Sequence, residues 1–219
     1  MASSKKAKPP KAKPKKPEPP IFLIVGGPNG SGKSSVYKGT SIEEGGRTVW
    51  IINPDLLTLR IREVEGLSQD DANLAAVQRI ETWLDASIQA HQSVGVETVL
   101  STDKYRRLVE KAKQLGFEFR LIYVALDSVD RNIERVALRV RKGGHDVPRD
   151  KIVKRYTGSL AQMPWFVAEA DQASIFDNSG ASPKRIAEKS DGILTVESDA
   201  LPAVLEALKE RFETVEKKD

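Results

Sequence analysis

The sequence predicts an α/β domain in which a central, mostly parallel sheet lies between layers of helices. Short apolar runs rich in β-branched residues alternate with longer stretches of helical periodicity, which is typical of parallel strands joined by helices. Several of these runs end in polar turns, and open α/β sheets bind ligands at the carboxyl edge of their strands. The predicted strands are residues 21–25, 48–52, 96–100, 119–126, 174–176 and 193–196.

The intervening segments predict helices. In the longest, apolar residues recur at helical spacing from Leu74 to Ile88, and Ser68 with Asp71 forms a start close to a capping box. We expect Gly95 to end this helix. The first predicted helix begins near residue 56. The others span residues 68–92, 103–115, 128–141, 150–164 and 200–212.

A phosphate-binding motif follows the first strand directly. Gly27, Gly32, Lys33 and Ser34 fill the spacing G-x-x-x-x-G-K-[ST], in which glycines let backbone N–H groups approach phosphate oxygens. Lys33 would reach the β- and γ-phosphates, and the Ser34 hydroxyl would complete the shell of a Mg²⁺ ion. A turn that merely joins strand to helix is the alternative. We favour phosphate binding, because the motif lies after a hydrophobic strand and before an expected helix start at Lys33–Ser35, whose dipole attracts anions.

Two acidic residues lie at or near strand ends. Pro54 cannot continue a central strand, so Asp55 sits at the carboxyl edge of the sheet, where we favour catalysis over a helix-capping role. Glu97 lies inside an apolar strand, and burying an unpaired carboxylate is costly. We expect it to face a cation such as Lys33 or a hydroxyl-rich substrate; a solvent-facing edge position is the alternative.

A basic helix leads into a predicted lid. Charge runs are usually solvated faces, but here the helix continues into a double glycine flanked by basic residues. Such a segment suits the hinge of a mobile lid that brings arginines onto phosphates. We expect the lid around residues 141–150. The arginines opposite the apolar stripe of the helix are Arg131, Arg135, Arg139 and Arg141.

The composition excludes several classes of protein. The 219 residues include no cysteine, so neither a disulfide framework nor a thiolate metal site is available. No apolar run approaches the ~20 residues needed to cross a bilayer, and the N-terminus lacks the apolar core of a secretory signal. We therefore expect a cytoplasmic protein without membrane contact.

The first 20 residues differ in composition from the rest of the chain. They carry seven lysines against Glu18 alone and are rich in proline, which predicts a disordered tail. The net charge of +4 is concentrated there, so a basic surface on the folded domain is not implied. The tail is either an electrostatic arm for nucleic acid or an acidic partner, or a solubilising segment. We predict a single domain over residues 21–213 and a frayed end over 214–219.

Together these segments resemble the zeta toxin family of P-loop kinases, and within it the compact bacterial branch often labelled predicted ATPases. The resemblance covers roughly residues 21–180 and rests on GGPNGSGKSS, NPD, ETVLS, RVALRVRKGGHDVPRDKIVKRY and FDNSG. It implies a three-layer P-loop kinase-like fold and transfer of the γ-phosphate of ATP to a hydroxyl of a UDP-linked amino sugar, best known for UDP-N-acetylglucosamine. It also implies a toxin that a small antitoxin holds in check.

The resemblance also assigns roles to residues. Asp55 matches the acid that accepts the proton of the sugar hydroxyl, and Glu97 matches an acid that contacts the substrate. Arg135 or Arg139, with the lid around His145 and Arg149, falls where the family places basic groups near the phosphates. We assign catalysis to Asp55, Lys33, Arg135 and Arg139, and acceptor binding to Asp55, Glu97 and Ser101. We assign nucleotide binding to Gly27, Pro28, Asn29, Gly30, Ser31, Gly32, Lys33, Ser34, Ser35, His145 and Asn178, with Ser34 as the magnesium ligand.

Three other functions stay open at this point. The protein could be an ATPase or nucleotide switch that acts on a protein or nucleic-acid partner through its basic tail. It could be a kinase of another small molecule, such as a nucleoside or an antibiotic, or of a nucleic-acid end. The third alternative is a toxin that acts by binding alone. It requires that replacement of Lys33 by alanine leave the toxicity intact.

Overall fold

The computed structural model describes residues 18–36, 41–44, 47–212 and 216–218. Within them, nine strands form one sheet in the order β2-β3-β4-β1-β5-β6-β7-β8-β9. The five strands β3, β4, β1, β5 and β6 are mutually parallel, whereas β2, β7 and β8 join in antiparallel fashion. The strands are β1 (Ile21–Gly26), β2 (Ser41–Glu44), β3 (Arg47–Ile52), β4 (Val94–Thr98), β5 (Glu118–Ala125), β6 (Gln172–Asp177), β7 (Lys184–Ser190), β8 (Ile193–Glu197) and β9 (Glu216–Lys218).

Strand β1 lies at the centre of the parallel part, between β4 and β5. Its side chains alternate between two faces, and Ile21–Val25 are all fully buried, as its unbroken apolar run predicts. Phe22 and Ile24 belong to the main core, which includes residues of four helices. Ile21, Leu23 and Val25 belong to a smaller cluster on the opposite face.

Six α-helices lie in the described residues, and each occupies a segment for which the sequence predicts a helix. Asn53 caps α1, because its Oδ1 accepts from the backbone N–H groups of Asp55 and Leu56. Ser68 and Ser128 cap α2 and α4 in the same way. The helices are α1 (Pro54–Glu65), α2 (Gln69–Gln89), α3 (Arg106–Gln114), α4 (Val129–Arg141), α5 (Arg149–Glu169) and α6 (Pro202–Lys209).

The segment after the phosphate-binding motif differs from the expected helix. Lys33–Ser35 form a single 3-10 turn, and an α-helix does not begin there. Serine is a weak helix former, because its hydroxyl competes for nearby backbone groups. Residues 37–40 and 45–46 lie outside the described residues, as does most of the predicted tail.

Three other boundaries also differ. Helix α2 ends at Gln89, and Gly95 lies inside β4, where a Cβ would come within 3.2 Å of the Leu23 carbonyl oxygen. Helix α5 continues through Pro164 to Glu169, because Met163, Phe166 and Val167 pack fully buried in the core. Strand β7 was not expected, since five of its seven residues are charged or polar and flank the short apolar pair Ile186–Ala187. No helix in the described residues is long and apolar enough to cross a membrane.

Candidate active site

The phosphate-binding loop follows β1 and turns through positive φ angles that favour glycine. Gly27 has a φ of 145°, and a Cβ there would lie 2.2 Å from the carbonyl oxygen of Val124. Gly32 has a φ of 83°, and a Cβ there would lie 2.3 Å from Nδ2 of Asn178. Neither position leaves space for a side chain. The backbone of this loop is therefore free to approach a phosphate closely.

Side chains from three other elements hold the loop in place. Asn178, after β6, donates from Nδ2 to the carbonyl of Ser31 at 2.8 Å. Asn132 of α4 donates to the carbonyl of Asn29 at 2.6 Å, and Arg155 of α5 reaches Oδ1 of Asn29 at 3.3 Å. The buried hydroxyl oxygen of Ser31 has no hydrogen-bond partner in the described part of the chain. The loop is thus a fixed cradle with a polar atom still to be satisfied, which fits a phosphate ligand.

Lys33 is a buried cation at the end of this cradle. Its Nζ donates to the carbonyls of Gly27 and Pro28 at 2.8 and 3.1 Å and lies 3.9 Å from Oε1 of Glu97. Desolvation lowers the pKa of the Lys33 ammonium, while the negative charges of Glu97 and Asp55 act in the opposite direction. A triphosphate would supply the further negative charge that favours this buried ammonium.

Glu97 lies in the interior of the sheet, because β4 pairs with β3 on one side and β1 on the other. The solvent-facing edge position is therefore excluded. Besides Lys33, its carboxylate accepts from Nδ2 of Asn53 at 3.0 Å. Since Asn53 also caps α1, the position of Glu97 is tied to the start of the helix that carries Asp55.

Asp55 stands in the first turn of α1 with 62% of its side chain exposed. Its carboxylate is not the helix cap, because Asn53 fills that role. Oδ2 of Asp55 lies 3.7 Å from Nη1 of Arg139, whose Nη2 donates to the carbonyl of His145 at 2.8 Å. Arg139 thus connects the acid on α1 to residues 142–148, the segment between α4 and α5 for which the sequence predicts a lid.

A cleft of about 390 Å³ brings most of these groups together. Its walls come from the phosphate-binding loop, the starts of α1 and α2, the turn after β4, and the segment between α4 and α5. The titratable residues that line it are Lys33, Asp55, Glu97, Lys104, Tyr105, Arg139, His145 and Arg155. Asn29, Gly30 and Ser101 line it as well.

Arg135 and Asn178 lie apart from the cleft walls. Nη2 of Arg135 donates to the carbonyl of Asn178 at 2.6 Å, and Asn178 in turn holds the backbone of Ser31. This arrangement supports the phosphate-binding loop without contributing to the cleft wall. Arg139 lies one helical turn further along α4 and faces the cleft.

A magnesium ion would depend on the nucleotide for most of its ligands. In the described residues, no group of three or more His, Asp or Glu side chains could hold a metal ion. Ser34 is exposed at the 3-10 turn, beside the cradle. A hydroxyl in that position fits an ion that is shared with phosphate oxygens, which is the usual way Mg²⁺ is bound beside a triphosphate.

Comparison with known families identifies the architecture. The zeta toxin family model matches residues 5–183, which is most of the chain. The chain belongs to the zeta toxin family. An uncharacterized protein from Haemophilus influenzae is 28% identical over 131 residues, covering 59% of this chain and 88% of that relative. Family membership supports an ATP-dependent kinase-type phosphotransferase.

Solved structures share the zeta toxin fold at low sequence identity. The AvrRxo1-ORF1:-ORF2 complex, solved with ATP, superposes with a TM-score of 0.63 at 14% identity over 89% of this chain. This chain spans 63% of the length of that one. A structure from the PezAT toxin-antitoxin system of Streptococcus pneumoniae gives a TM-score of 0.55 at 16% identity, over 93% of this chain and 82% of the other. A putative kinase from Chloroflexus aurantiacus gives 0.50 at 18% identity, over 65% and 79%.

Three residues of this zeta toxin site were not assigned from the sequence. Arg155 reaches the phosphate-binding loop from α5, a helix in which the sequence assigns no catalytic or binding residue. Asn132 is fully buried beneath that loop, and Lys104 lines the cleft beyond Ser101. The helical spacing could have predicted that Asn132 is buried, since it lies on the same face of α4 as Val136. For Lys104 and Arg155 the sequence gives only a charge near a strand end or on a helix.

Proposed function

We propose that this protein transfers the γ-phosphoryl group of ATP to a hydroxyl of a UDP-linked amino sugar such as UDP-N-acetylglucosamine. One observation carries the proposal: a buried P-loop lysine and an exposed aspartate face a single cleft. Lys33 lies at the end of the phosphate-binding loop, and the exposed carboxylate of Asp55 lines the same cleft beside Arg139. Zeta toxin family membership supports the same chemistry.

At the nucleotide end, the protein would align the phosphates of ATP and neutralise part of their negative charge. The phosphates would lie on the backbone N–H groups of Gly27–Ser35, with Lys33 exchanging its carbonyl partners for β- and γ-oxygens. Arg139 and Arg155 line the same cleft and supply further positive charge. Phosphoryl transfer requires mainly such positioning and charge compensation, because its transition state spreads charge over the equatorial oxygens.

At the acceptor end, Asp55 would act as general base. The sugar oxygen forms a bond to the γ-phosphorus, the bond from that phosphorus to the β–γ bridging oxygen breaks, and ADP leaves. The hydroxyl proton passes to the Asp55 carboxylate. Glu97 and Ser101 line the cleft between the two reactants and would orient the sugar.

The Ser34 hydroxyl would hold a magnesium ion together with phosphate oxygens of the nucleotide, and the ion would supply positive charge that offsets the negative charge of the phosphates. The segment between α4 and α5 would close over the reactants and exclude water, which otherwise competes with the acceptor. Its Gly143 has a φ of 83°, and Gly144 packs against Arg139, so closure of the segment would displace the arginine as well.

We also propose that the protein is a toxin that a small antitoxin restrains. The support is family membership together with two structural neighbours, the AvrRxo1-ORF1:-ORF2 complex and the PezAT toxin-antitoxin system. An inhibitor of this kind would have to cover the cleft, because Lys33 is reached through it.

The test is an acceptor screen. Purified protein is incubated with Mg-ATP and a panel of nucleotide sugars, nucleosides, aminoglycosides and nucleic-acid ends, and each acceptor is analysed by mass for one added phosphate. We expect phosphate on UDP-linked amino sugars and none when Lys33→Met replaces the wild type. ATP turnover at an unchanged rate with and without every acceptor would favour the ATPase alternative instead.

A further inference from the structure

The turn after β4 has a strained backbone at the edge of the cleft. Leu100 has a φ of 57°, in the left-handed region that branched residues rarely adopt, and its side chain is 1% exposed. Residues held in such conformations persist only where their surroundings fix them, and they concentrate at functional sites. The turn continues through Ser101 and Thr102 to Lys104 and Tyr105, all of which line the cleft.

Contacts from β4 itself and from α5 hold this turn in place. The backbone N–H of Leu100 donates to Oγ1 of Thr98 at 3.2 Å, and Ser159 of α5 donates to the carbonyl of Val99 at 2.7 Å. Helix α5 also approaches so closely that a Cβ at Gly158 would lie 2.8 Å from the carbonyl oxygen of Ser101. The residues that follow the turn are therefore presented to the cleft by a fixed backbone.

Lys104 is the cation on this part of the wall. Its Nζ lies 4.5 Å from the centre of the buried Tyr105 ring, and its side chain lines the cleft. Glu81 of α2 is the acidic residue of the described chain whose charge reaches it. Partial desolvation lowers the pKa of the Lys104 ammonium, and Glu81 only partly offsets this. An anionic ligand would stabilise the charged form more effectively.

Asp55 and Lys104 lie beside different parts of α2, Asp55 near Asn73 and Lys104 near Glu81. The wall of α2 runs from Asn73, which with Asp55 also lines the neighbouring hollow, to Ile80 beside Glu81. Eight residues of helix from Asn73 to Glu81 span about 12 Å. That distance accommodates a sugar ring together with the phosphate attached to it.

We propose that Lys104 binds an anionic group of the acceptor, the phosphate next to the sugar, and so selects nucleotide-linked sugars over free ones. This inference rests on the proposed transfer to a UDP-linked sugar. Lys33 and Lys104 then hold the phosphates of the two substrates at separate ends of the cleft, and the hydroxyl lies near Asp55 between them.

The test measures acceptor binding apart from turnover. The full chain is saturated with Mg²⁺ and a non-hydrolysable ATP analogue, so that the phosphate-binding loop is occupied, and UDP-N-acetylglucosamine is titrated by calorimetry. We expect Lys104→Gln to weaken its binding by about 10- to 100-fold, the effect of losing one charge-assisted hydrogen bond. Lys104→Arg should stay within a few-fold of wild type. Lys209→Gln, the same change on α6 away from the cleft, should match wild type.

The outcomes separate the two proposals. If Lys104→Gln binds the nucleotide sugar as well as Lys209→Gln does, or loses the ATP analogue in parallel, the assignment of Lys104 is overturned. Failure of the wild type to bind the nucleotide sugar also overturns it. If the wild type binds it through Lys104 yet transfers no phosphate to it from ATP, the subsite stands and the proposed reaction with that sugar fails.

Discussion

Replacing Asp55 with asparagine should abolish phosphoryl transfer while leaving the fold intact. The side chain is 62% exposed, belongs to no core cluster and is not the cap of α1. Asparagine keeps the size of the side chain but cannot accept the proton of the attacking hydroxyl. Removing a general base typically costs about 10²- to 10⁴-fold in rate, so we expect kcat to fall at least about a hundredfold.

The cost in stability should be small by comparison. The ion pair with Arg139 at 3.7 Å is partly exposed, and such pairs contribute about 0–1 kcal/mol. An acid in the first turn of a helix adds about 0.3–1 kcal/mol through the helix dipole. A combined loss near 1 kcal/mol corresponds to a fall in Tm of about 2–4 °C for a domain of this size.

The assay compares transfer, nucleotide affinity and melting in one set of variants. Transfer is followed with labelled ATP and the acceptor identified by the screen, and ATP affinity is measured by calorimetry. Asp70→Asn makes the same change in the first turn of α2 and serves as the matched control. If Asp55→Asn retains more than about a tenth of the wild-type kcat, or if it loses ATP binding together with transfer, the assignment of the base is wrong.

Further predictions concern the loop, its lysine and the packing of α5. Gly32→Ala should abolish ATP binding and lower Tm, since its Cβ would lie 2.3 Å from Nδ2 of Asn178. A variant that binds ATP with wild-type affinity would contradict the phosphate-binding role of this loop. Burial lowers the pKa of Lys33 below its ordinary 10.5, so the unfolded chain holds this proton more tightly than the folded protein does. The free energy of unfolding of the wild type, measured in urea, should therefore rise relative to that of Lys33→Met as the pH increases from neutral towards 10.5, and a constant difference would refute the buried ammonium. Gly158→Ala should displace the carbonyl of Ser101, which a Cβ would approach to 2.8 Å; we expect a higher KM for the acceptor at unchanged ATP affinity, and equal losses of both would point to general disruption.

Much of the sheet could be predicted from local sequence, because a strand that is buried on both faces is an unbroken run of apolar residues. The run Ile21–Val25 has no polar residue, and the structure places it at the centre of the sheet. The fold class predicted from such runs is confirmed by the family match and by the structural neighbours. The cost of burying a carboxylate likewise predicted that Glu97 would face a cation, and Lys33 lies 3.9 Å away.

The positions of side chains that depend on tertiary packing could not be predicted from local sequence. Arg135 and Arg139 lie four residues apart on α4, so periodicity assigns them to one face. In the structure one donates to the carbonyl of Asn178 and the other faces Asp55 and the lid segment. The contact of Arg155 with Asn29 spans 126 residues, and no local pattern encodes such a separation.

The resting contacts of Arg139 impose a condition on the proposed mechanism. Its guanidinium holds the carbonyl of His145 and lies against the Asp55 carboxylate, while its Nε is buried without a partner in the described chain. The guanidinium of Arg139 occupies space beside the Asp55 carboxylate that the acceptor hydroxyl needs in order to donate its proton. Arg139 must therefore exchange Asp55 for phosphate oxygens before Asp55 can accept a proton. Because the same guanidinium holds His145, that exchange would also move the lid segment, so that nucleotide binding, closure and activation of the base become one event.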